Sequence, residues 1–278
     1  MSARIIRALT LPEIETLLGW AKAEGWNPGL ADATAFQAAD PAGFIGAFVG
    51  GAMVAAISAV AYDSAFGFIG LYICHPDWRG QGHGKAAWDA GMAHLGDRTI
   101  GLDGVPEQQA NYASMGFVAA YQSVRMTGMA RAQSAPPRDL VSLDTHAVSL
   151  LRALDRQCFA ADRDGFLSEW LKPPNRGVAL LEGDTVTSYA AIRPCVDGHK
   201  IGPLFAATAA DAETLFAALG AAAGGTLQID VPRLQPGFLA ALTELGFTPG
   251  FTTARMYRGQ PPDIDMSRVF GITSLELG

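Results

Sequence analysis

The chain has 278 residues, of which 49% are hydrophobic, and a formal net charge of −7 at pH 7. This length exceeds what one small core needs and predicts two domains. Its 20 Lys and Arg residues nowhere form a basic stripe, so we expect no nucleic-acid partner. The three cysteines lie far apart in the sequence, which is typical of free thiols in a reducing, cytoplasmic setting.

The first predicted elements are a helix over residues 12–24 and a pair of apolar strands. Residues 43–62 carry no charge and are long enough to span a membrane. Gly and Ala dominate this stretch, however, and the Gly50-Gly51 pair in its middle is typical of a hairpin turn. We therefore predict strands at Phe44–Val49 and Ala52–Ala61, and no membrane association.

A glycine-rich loop follows the next apolar strand, Phe66–Cys74. It reads Arg79-Gly80-Gln81-Gly82-His83-Gly84-Lys85 and opens a helical run over residues 84–95. Alternate glycines let the backbone turn and approach a ligand closely. The N–H groups at a helix N-terminus favour an anion, and Arg79 and Lys85 add positive charge. The segment predicts a phosphate-binding loop.

Three kinds of phosphate-binding loop differ in the spacing of their glycines and flanking residues. A P-loop needs a glycine where Arg79 stands and a Ser or Thr where Ala86 stands. A dinucleotide fingerprint fits better, because residues 99–103 resemble a second strand that ends in an acid. It requires a glycine in place of Lys85, however, and a loop that starts at the end of the strand. The pattern Arg-x-x-Gly-x-Gly is matched directly.

This last pattern, with the strand before it, resembles the acetyl-CoA loop of the GNAT acyltransferase superfamily. The resemblance implies a mixed α/β fold in which a bulged strand splays from its neighbour. Acetyl-CoA is then the expected cosubstrate, with its pantetheine arm along Tyr72, Ile73 and Cys74. The residues expected to hold its pyrophosphate are Arg79, Gly80, Gln81, Gly82, His83, Gly84 and Lys85.

A second motif lies downstream, at residues 111–117. It resembles the Tyr-x-x-x-Gly-Phe ending of the same superfamily, and the resemblance implies that Tyr112 protonates the departing CoA thiolate. An unperturbed tyrosine pKa near 10 keeps this group protonated at neutral pH. The alternative is that Tyr112 packs under the sheet with its hydroxyl on a backbone group. The family often places an Asn where this chain has Val105, so one pantetheine hydrogen bond is expected to be missing.

The second half of the chain repeats features of the first half at an offset of 130 residues. Gly116-Phe117 and Arg125-Met126 recur as Gly246-Phe247 and Arg255-Met256. Matches in the same order predict a duplicated unit.

We expect two tandem GNAT-like domains, a catalytic one over residues 1–130 and a degenerate one over residues 140–278. An exposed linker is predicted between them, because Ser134-Ala135-Pro136-Pro137 is typical of a loop. The second copy has no glycine loop after Leu204, and Leu242 stands where Tyr112 would recur. It resembles the holothin acyltransferase-like C-terminal domain that follows some GNAT domains.

The resemblance implies direct attack of a small-molecule amine on the thioester, with an oxyanion held by a main-chain N–H near Ile73 or Cys74. Glu24, Trp26 and Asn27, in the turn after the first helix, would then border the acceptor pocket. The same segment is also explained as a plain turn beside a core tryptophan.

Phe36 is expected as a further wall of the acceptor pocket, and Glu24 or Asp103 would take the amine proton. The alternative for Asp103 is that it braces a turn, because it recurs as Asp230 in the second copy. No His–Cys–acid arrangement surrounds Cys74, and no spacing of histidines predicts a metal site. A second hypothesis is a non-catalytic acyl-CoA-binding module that engages a partner protein. Acceptor, acyl length and oligomeric state stay open.

Overall fold

The computed structural model describes residues 3–130, 140–144 and 147–278, and within them one mixed sheet of 13 strands carries helices on both faces. The strands are β1 (Arg4–Ala8), β2 (Phe44–Val49), β3 (Ala52–Ala61), β4 (Phe66–Cys74), β5 (Thr99–Gly104), β6 (Val118–Met129), β7 (Val141–Leu143), β8 (Arg176–Glu182), β9 (Thr185–Pro194), β10 (His199–Phe205), β11 (Thr226–Pro232), β12 (Thr248–Arg258) and β13 (Val269–Gly271). The helices are α1 (Leu11–Ala23), α2 (Asp32–Ala39), α3 (His83–Leu95), α4 (Pro106–Ser114), α5 (Val148–Cys158), α6 (Asp164–Trp170), α7 (Ala209–Ala223) and α8 (Pro236–Glu244).

The charge-free stretch forms a β-hairpin, as predicted. β2 and β3 have the predicted bounds and pair antiparallel, and Gly50 and Gly51 have φ of 58° and 86° in the turn between them. These positive φ values are accessible to glycine at no steric cost. Among the described residues, no helix is long and apolar enough to cross a membrane.

Two elements of the first half were missing from the sequence prediction. β1 is an edge strand whose residues are almost all exposed, so it lacks the apolar alternation of a half-buried strand. α2 is only eight residues long and rich in alanine. Short segments of this kind carry a weak periodic signal, and tertiary packing decides their structure.

β6 and β12 exchange places between the two halves of the chain. The sheet order through this region is β4-β5-β12-β6-β11-β10, so β12 lies against β5 while β6 lies against β11. All three ladders around this crossing are antiparallel. Each half therefore completes the sheet of the other, and the halves share backbone hydrogen bonds as well as side-chain contacts.

Two buried ion pairs lie at this exchange and join equivalent residues of the two copies. Arg125 on β6 binds Asp230 on β11 through two hydrogen bonds of 2.9 and 2.8 Å. Arg255 on β12 binds Asp103 on β5 through two bonds of 2.9 Å. The sequence repeat is thus matched by a structural one, in which each arginine pairs with the aspartate of the other copy.

A shared hydrophobic core covers one face of the sheet at the junction. It combines α1 and α2 of the first half with α5 and α6 of the second. The rings of Phe36 and Trp170 stack across this boundary with centroids 6.3 Å apart. The predicted linker, residues 131–139, lies outside the described residues, and the domain limits at 130 and 140 stay predictions.

Residues 269–278, called here the C-terminal segment, connect both halves. The segment begins as β13, which pairs with the end of β10, and Ile272 then donates its N–H to the carbonyl of Asp230 on β11. It continues into the first half, where the Tyr62 hydroxyl donates to the Leu277 carbonyl at 2.9 Å. Leu277 is fully buried there, so the segment is part of the core of both copies.

Candidate active site

The candidate site is built on a bulge and a splay in β4. The register between β3 and β4 shifts between Ala56 and Ser58, which leaves Leu71 and Tyr72 of β4 opposite one residue of β3. Leu71 has φ of 45°, a left-handed value that is rare for a branched side chain. Parallel pairing between β4 and β5 ends at Ile69, so the second half of β4 diverges from β5. This is the geometry that the resemblance implied.

A cavity of about 750 Å³ lies at this splay. The predicted site residues that line it are Glu24, Trp26, Asn27, Tyr72, Ile73, Cys74, Arg79 and Tyr112. The remaining predicted residues, 80–85, follow Arg79 directly in the chain and form the loop and the first turn of α3. Segments that are distant in the sequence therefore converge on one cavity of a size typical for small-molecule binding.

The cavity passes from one face of the sheet to the other. Leu71 and Ile73 pack into the core that contains α1 and α2, whereas Tyr72 and Cys74 pack against the core on the side of α3. Alternate residues of a strand point to opposite faces, and all four line the cavity. The lining of the cavity therefore includes side chains from both faces of the sheet at the splay.

The glycine loop has the backbone geometry of an anion cradle. Gly80 and Gly82 have φ of 75° and 79°, and Gly82 is the N-cap of α3. Gly82 has no side chain and therefore gives the first turn of α3 no side-chain cap. A Cβ at Gly84 would lie 3.0 Å from the Tyr72 hydroxyl, so the close packing there requires glycine. These residues fit a diphosphate at the helix N-terminus.

Arg79 connects the loop to β4 and to the turn after α1. Its Nε donates to the Cys74 carbonyl at 3.0 Å, and its Nη2 donates to Glu24 at 2.5 Å. The Glu24 carboxylate is therefore engaged by a loop residue, and its acceptor role stays a prediction. Lys85 is exposed and pairs with Asp89 one turn further along α3.

Tyr112 lies on α4 at the wall of the cavity, on the same side of the sheet as α3. Its ring stacks on Trp88 with centroids 5.8 Å apart and packs against Phe117. Burial, with a smaller contribution from Tyr72, raises the pKa of the Tyr112 hydroxyl to about 12. The group therefore keeps its proton at neutral pH, as a general acid must.

The turn after α1 is anchored to the second half of the chain. Asn27, with φ of 54°, accepts from the Asp197 N–H at 2.8 Å and donates to the Asp197 carbonyl at 2.9 Å. It also donates to Gln228 at 3.2 Å. The Trp26 carbonyl accepts from the Lys200 ammonium at 2.9 Å. These contacts hold the turn at the edge of the cavity, and a role in binding the acceptor stays a prediction for both residues.

One expectation about the acceptor side is wrong, and a second stays open between two roles. Phe36 does not line the cavity: it is fully buried and stacks between Phe44 and Trp170, so its large apolar ring serves the core. Asp103 lines the cavity, but both of its carboxylate oxygens accept from Arg255. This pairing agrees with the bracing alternative.

The cavity also contains residues that sequence reasoning missed, and one set of them comes from β6 or from the second half. They are Arg125, Gln228, Phe251, Thr253, Leu275 and Glu276. The Arg and Asp positions that recur in both copies were the sequence signal for this contact, because the ion pairs between the copies bring the second half to the splay. The strand exchange that realises this contact has no local sequence pattern.

The second copy has no counterpart of the glycine loop, of the open splay or of Tyr112. The helix equivalent to α3 is α7, and its first turn is capped by Thr208, whose hydroxyl accepts from the Asp211 N–H at 3.1 Å. β13 pairs with β10 where that strand diverges from β11. Leu242, at the place of Tyr112, is fully buried. The second splay is therefore closed by the chain itself.

No group of His, Cys, Asp and Glu side chains suited to a metal ion occurs within residues 3–130, 140–144 and 147–278. Burial raises the pKa of the Cys74 thiol, which disfavours the thiolate that a covalent nucleophile requires.

Comparison with known proteins agrees with this architecture. Residues 11–137 match the model of the acetyltransferase (GNAT) family, and residues 151–271 match that of an acetyltransferase (GNAT) domain. The chain is 35% identical over 273 residues to holothin acyltransferase from Pseudoalteromonas sp. (strain SANK 73390), which covers 97% of this chain and 92% of that protein.

Two solved structures share the fold across both halves. A putative acetyltransferase from Pyrococcus horikoshii has a TM-score of 0.80 at 20% identity, covering 100% of this chain and 97% of that chain. A tandem GNAT protein from the clavulanic acid biosynthesis pathway has a TM-score of 0.62 at 15% identity, covering 94% and 100%. The duplicated halves, the bulged and splayed strand, and the two family matches lead to one conclusion: this chain belongs to the GNAT superfamily and is a tandem GNAT acyltransferase.

Proposed function

We propose that this enzyme transfers an acetyl group from acetyl-CoA to the amine of a small molecule in the cavity of its first half. The observation that carries the proposal is a cavity that crosses the sheet at a bulged strand, next to a glycine loop and a tyrosine. The relative that is 35% identical over 273 residues is named as an acyltransferase, which supports the reaction class.

The donor would enter from the side of α3. Main-chain N–H groups of residues 80–85 and the Arg79 guanidinium would hold the diphosphate, and the diverging half of β4 would take the pantetheine arm as an added strand. Tyr72 and Cys74 point to this face and would flank that arm.

The acceptor would enter from the opposite face, between the turn after α1 and the second half. Its uncharged nitrogen attacks the thioester carbonyl carbon, and a main-chain N–H near Ile73 or Cys74 stabilises the oxyanion. As the C–S bond breaks, the Tyr112 hydroxyl gives its proton to the thiolate.

We propose that only the first copy is catalytic. A capped α7 and a splay filled by β13 oppose donor binding in the second copy, and the buried Leu242 cannot supply the proton that Tyr112 would give. The second half would instead form part of the acceptor side of the cavity.

The proposal is tested by free-thiol release from acetyl-CoA in the presence of a panel of amines and amino acids. Because the relative is named for holothin, this amine belongs in the panel. Calorimetry with acetyl-CoA measures donor binding separately. Heat of binding together with amine-dependent thiol release supports the proposal. Binding without turnover on any acceptor would instead fit the acyl-CoA-binding module, and absence of both would refute the donor assignment.

A further inference from the structure

The C-terminal segment places one carboxylate, that of Glu276, in the cavity of the first half. Glu276 lines the cavity and is 5% exposed, and its Oε2 has no hydrogen-bond partner among the described residues. A buried polar atom without a partner costs free energy, so a ligand group that donates a hydrogen bond to it is favoured at this position.

The other buried carboxylates at the junction are neutralised, so Glu276 differs from its neighbours. Four buried aspartates pair with buried arginines: Asp32 with Arg193, Asp103 with Arg255, Asp155 with Arg163, and Asp230 with Arg125. None of the ion pairs among the described residues includes Glu276. The nearby buried ammonium of Lys200 donates to the Trp26 carbonyl, and burial lowers its pKa.

Glu276 lies at the point where β4 and β5 separate. A Cβ at Gly70 would come within 2.2 Å of the Glu276 carbonyl, and the Ser58 hydroxyl donates to the same carbonyl at 3.3 Å. Gly70 directly precedes the bulge at Leu71 and Tyr72. These contacts fix the main chain of Glu276 beside the part of β4 that, in the proposed function, faces the thioester.

We propose that Glu276 binds the acceptor amine and accepts its proton, so that the second half supplies a catalytic residue to the first. This inference rests on the proposed function and deepens it: the acceptor is a primary amine that enters as its ammonium form and supplies the hydrogen bonds that Oε2 lacks. An unpaired buried carboxylate favours a cationic group over a neutral alcohol or amide.

The proton balance of the step is complete. The bound ammonium gives one proton to Glu276, which returns it to solvent, and the nitrogen lone pair forms the new C–N bond. The C–S bond breaks, and the thiolate takes the proton of Tyr112. The second nitrogen proton passes through water to the Tyr112 phenolate. The products are the amide, the free thiol of CoA and one released proton.

Charged and titratable groups face Glu276 from several elements packed around it. They are Asp32 on α2, Asp103 on β5, Arg125 on β6, Arg193 on β9, Cys195 after β9 and Lys200 on β10. The aspartates and arginines form mutual ion pairs, whereas the Glu276 carboxylate has no ion-pair partner among the described residues.

The test compares Glu276→Gln, Glu276→Asp and the wild type. The matched control is Glu213→Gln, because Glu213 is an exposed residue of α7. Four quantities are measured: the Kd for acetyl-CoA, the melting temperature, and kcat and KM for a reactive amine as functions of pH. For Glu276→Gln we expect kcat/KM for the amine to fall by about 10²–10³-fold, as for loss of a general base. The loss should become smaller as the pH rises and more of the acceptor is already the free amine.

Acetyl-CoA affinity and melting temperature should not fall, because no described ion pair is broken. Glu276→Asp should retain part of the rate, and Glu213→Gln all of it. Equal kcat/KM and pH profiles for Glu276→Gln and wild type would overturn the inference while leaving the proposed function intact. A parallel loss of melting temperature or acetyl-CoA affinity would overturn it in favour of a structural role. If the wild type itself releases no thiol with any amine, the proposed function fails first.

Discussion

Asp103 has two alternative roles, as a brace between the halves through its ion pair with Arg255 or as the proton acceptor, and breaking the pair distinguishes them. The substitution Asp103→Asn keeps the shape of the side chain and removes its charge. Arg255, whose side chain is 5% exposed, then keeps a buried positive charge without its counter-ion. Removal of one partner of a buried ion pair costs about 3–5 kcal/mol. At roughly 2–4 °C per kcal/mol for a chain of this size, the melting temperature should fall by about 6–20 °C.

The assay combines thermal unfolding, followed by circular dichroism, with thiol release per folded molecule at 20 °C. If Asp103 only braces β5 against β12, Asp103→Asn lowers the melting temperature and leaves the rate within a few-fold. The double variant Asp103→Leu/Arg255→Met should recover stability, because replacing both charges by apolar groups removes the desolvation cost. As a control, Asp164→Asn breaks the exposed pair with Arg152 and should leave the melting temperature unchanged.

One pattern of results would refute this reasoning. A rate loss of 10² or more in Asp103→Asn, with an unchanged melting temperature, would mean that Asp103 acts in the reaction and that its bond to Arg255 contributes little to folding. An equal loss of stability in the double variant would likewise contradict the ion-pair account.

Three further predictions concern the site and the acid stability. Tyr112→Phe should lower kcat by about 10²–10⁴-fold at unchanged acetyl-CoA affinity. Because the pKa of Tyr112 is raised to about 12, the wild-type rate should show no alkaline decline below pH 11. An equal kcat in Tyr112→Phe and the wild type would exclude Tyr112 as the acid. Gly82→Val should weaken acetyl-CoA binding at least tenfold in calorimetry, whereas Gly51→Val, which strains a similar positive φ at the hairpin tip, should leave binding unchanged; equal effects would exclude the cradle. The hydrogen bond from Arg7 lowers the pKa of Glu13 to about 2, so Glu13 stabilises the fold above its unfolded pKa of 4.5, and this contribution is lost as the pH falls toward 2. In Glu13→Gln, the urea midpoint should therefore decline less between pH 5 and 2.5 than in the wild type. An equal decline in both proteins would contradict this.

The local parts of the fold were readable from the sequence because short-range chemistry determines them. A Gly-Gly pair between apolar runs specifies a hairpin, and the bounds of β2 and β3 were predicted to the residue. The glycine loop and the start of α3 were predicted for the same reason, since the positive φ at Gly80 and Gly82 requires glycine.

Long-range pairing was not readable in the same way. The repeat identified β6 and β12 as equivalents, yet equivalent strands fit either neighbour, and only the complete sheet shows that they exchange. Phe36 was assigned to a pocket wall because an apolar ring suits a wall and a core equally. Glu276 was missed because it is distant in sequence from the strand it contacts, and its tail carries no motif.

The exchange of β6 and β12 has a consequence for how the enzyme matures on the ribosome. When the first copy has been synthesised, β5 still lacks its eventual partner, which is encoded more than a hundred residues later. The nascent chain must therefore keep that sheet edge from premature pairing until β12 emerges. Leu277 can fill its place in the core only after residue 277 has left the ribosome, so a chain terminated before that residue would leave this part of the core unfilled.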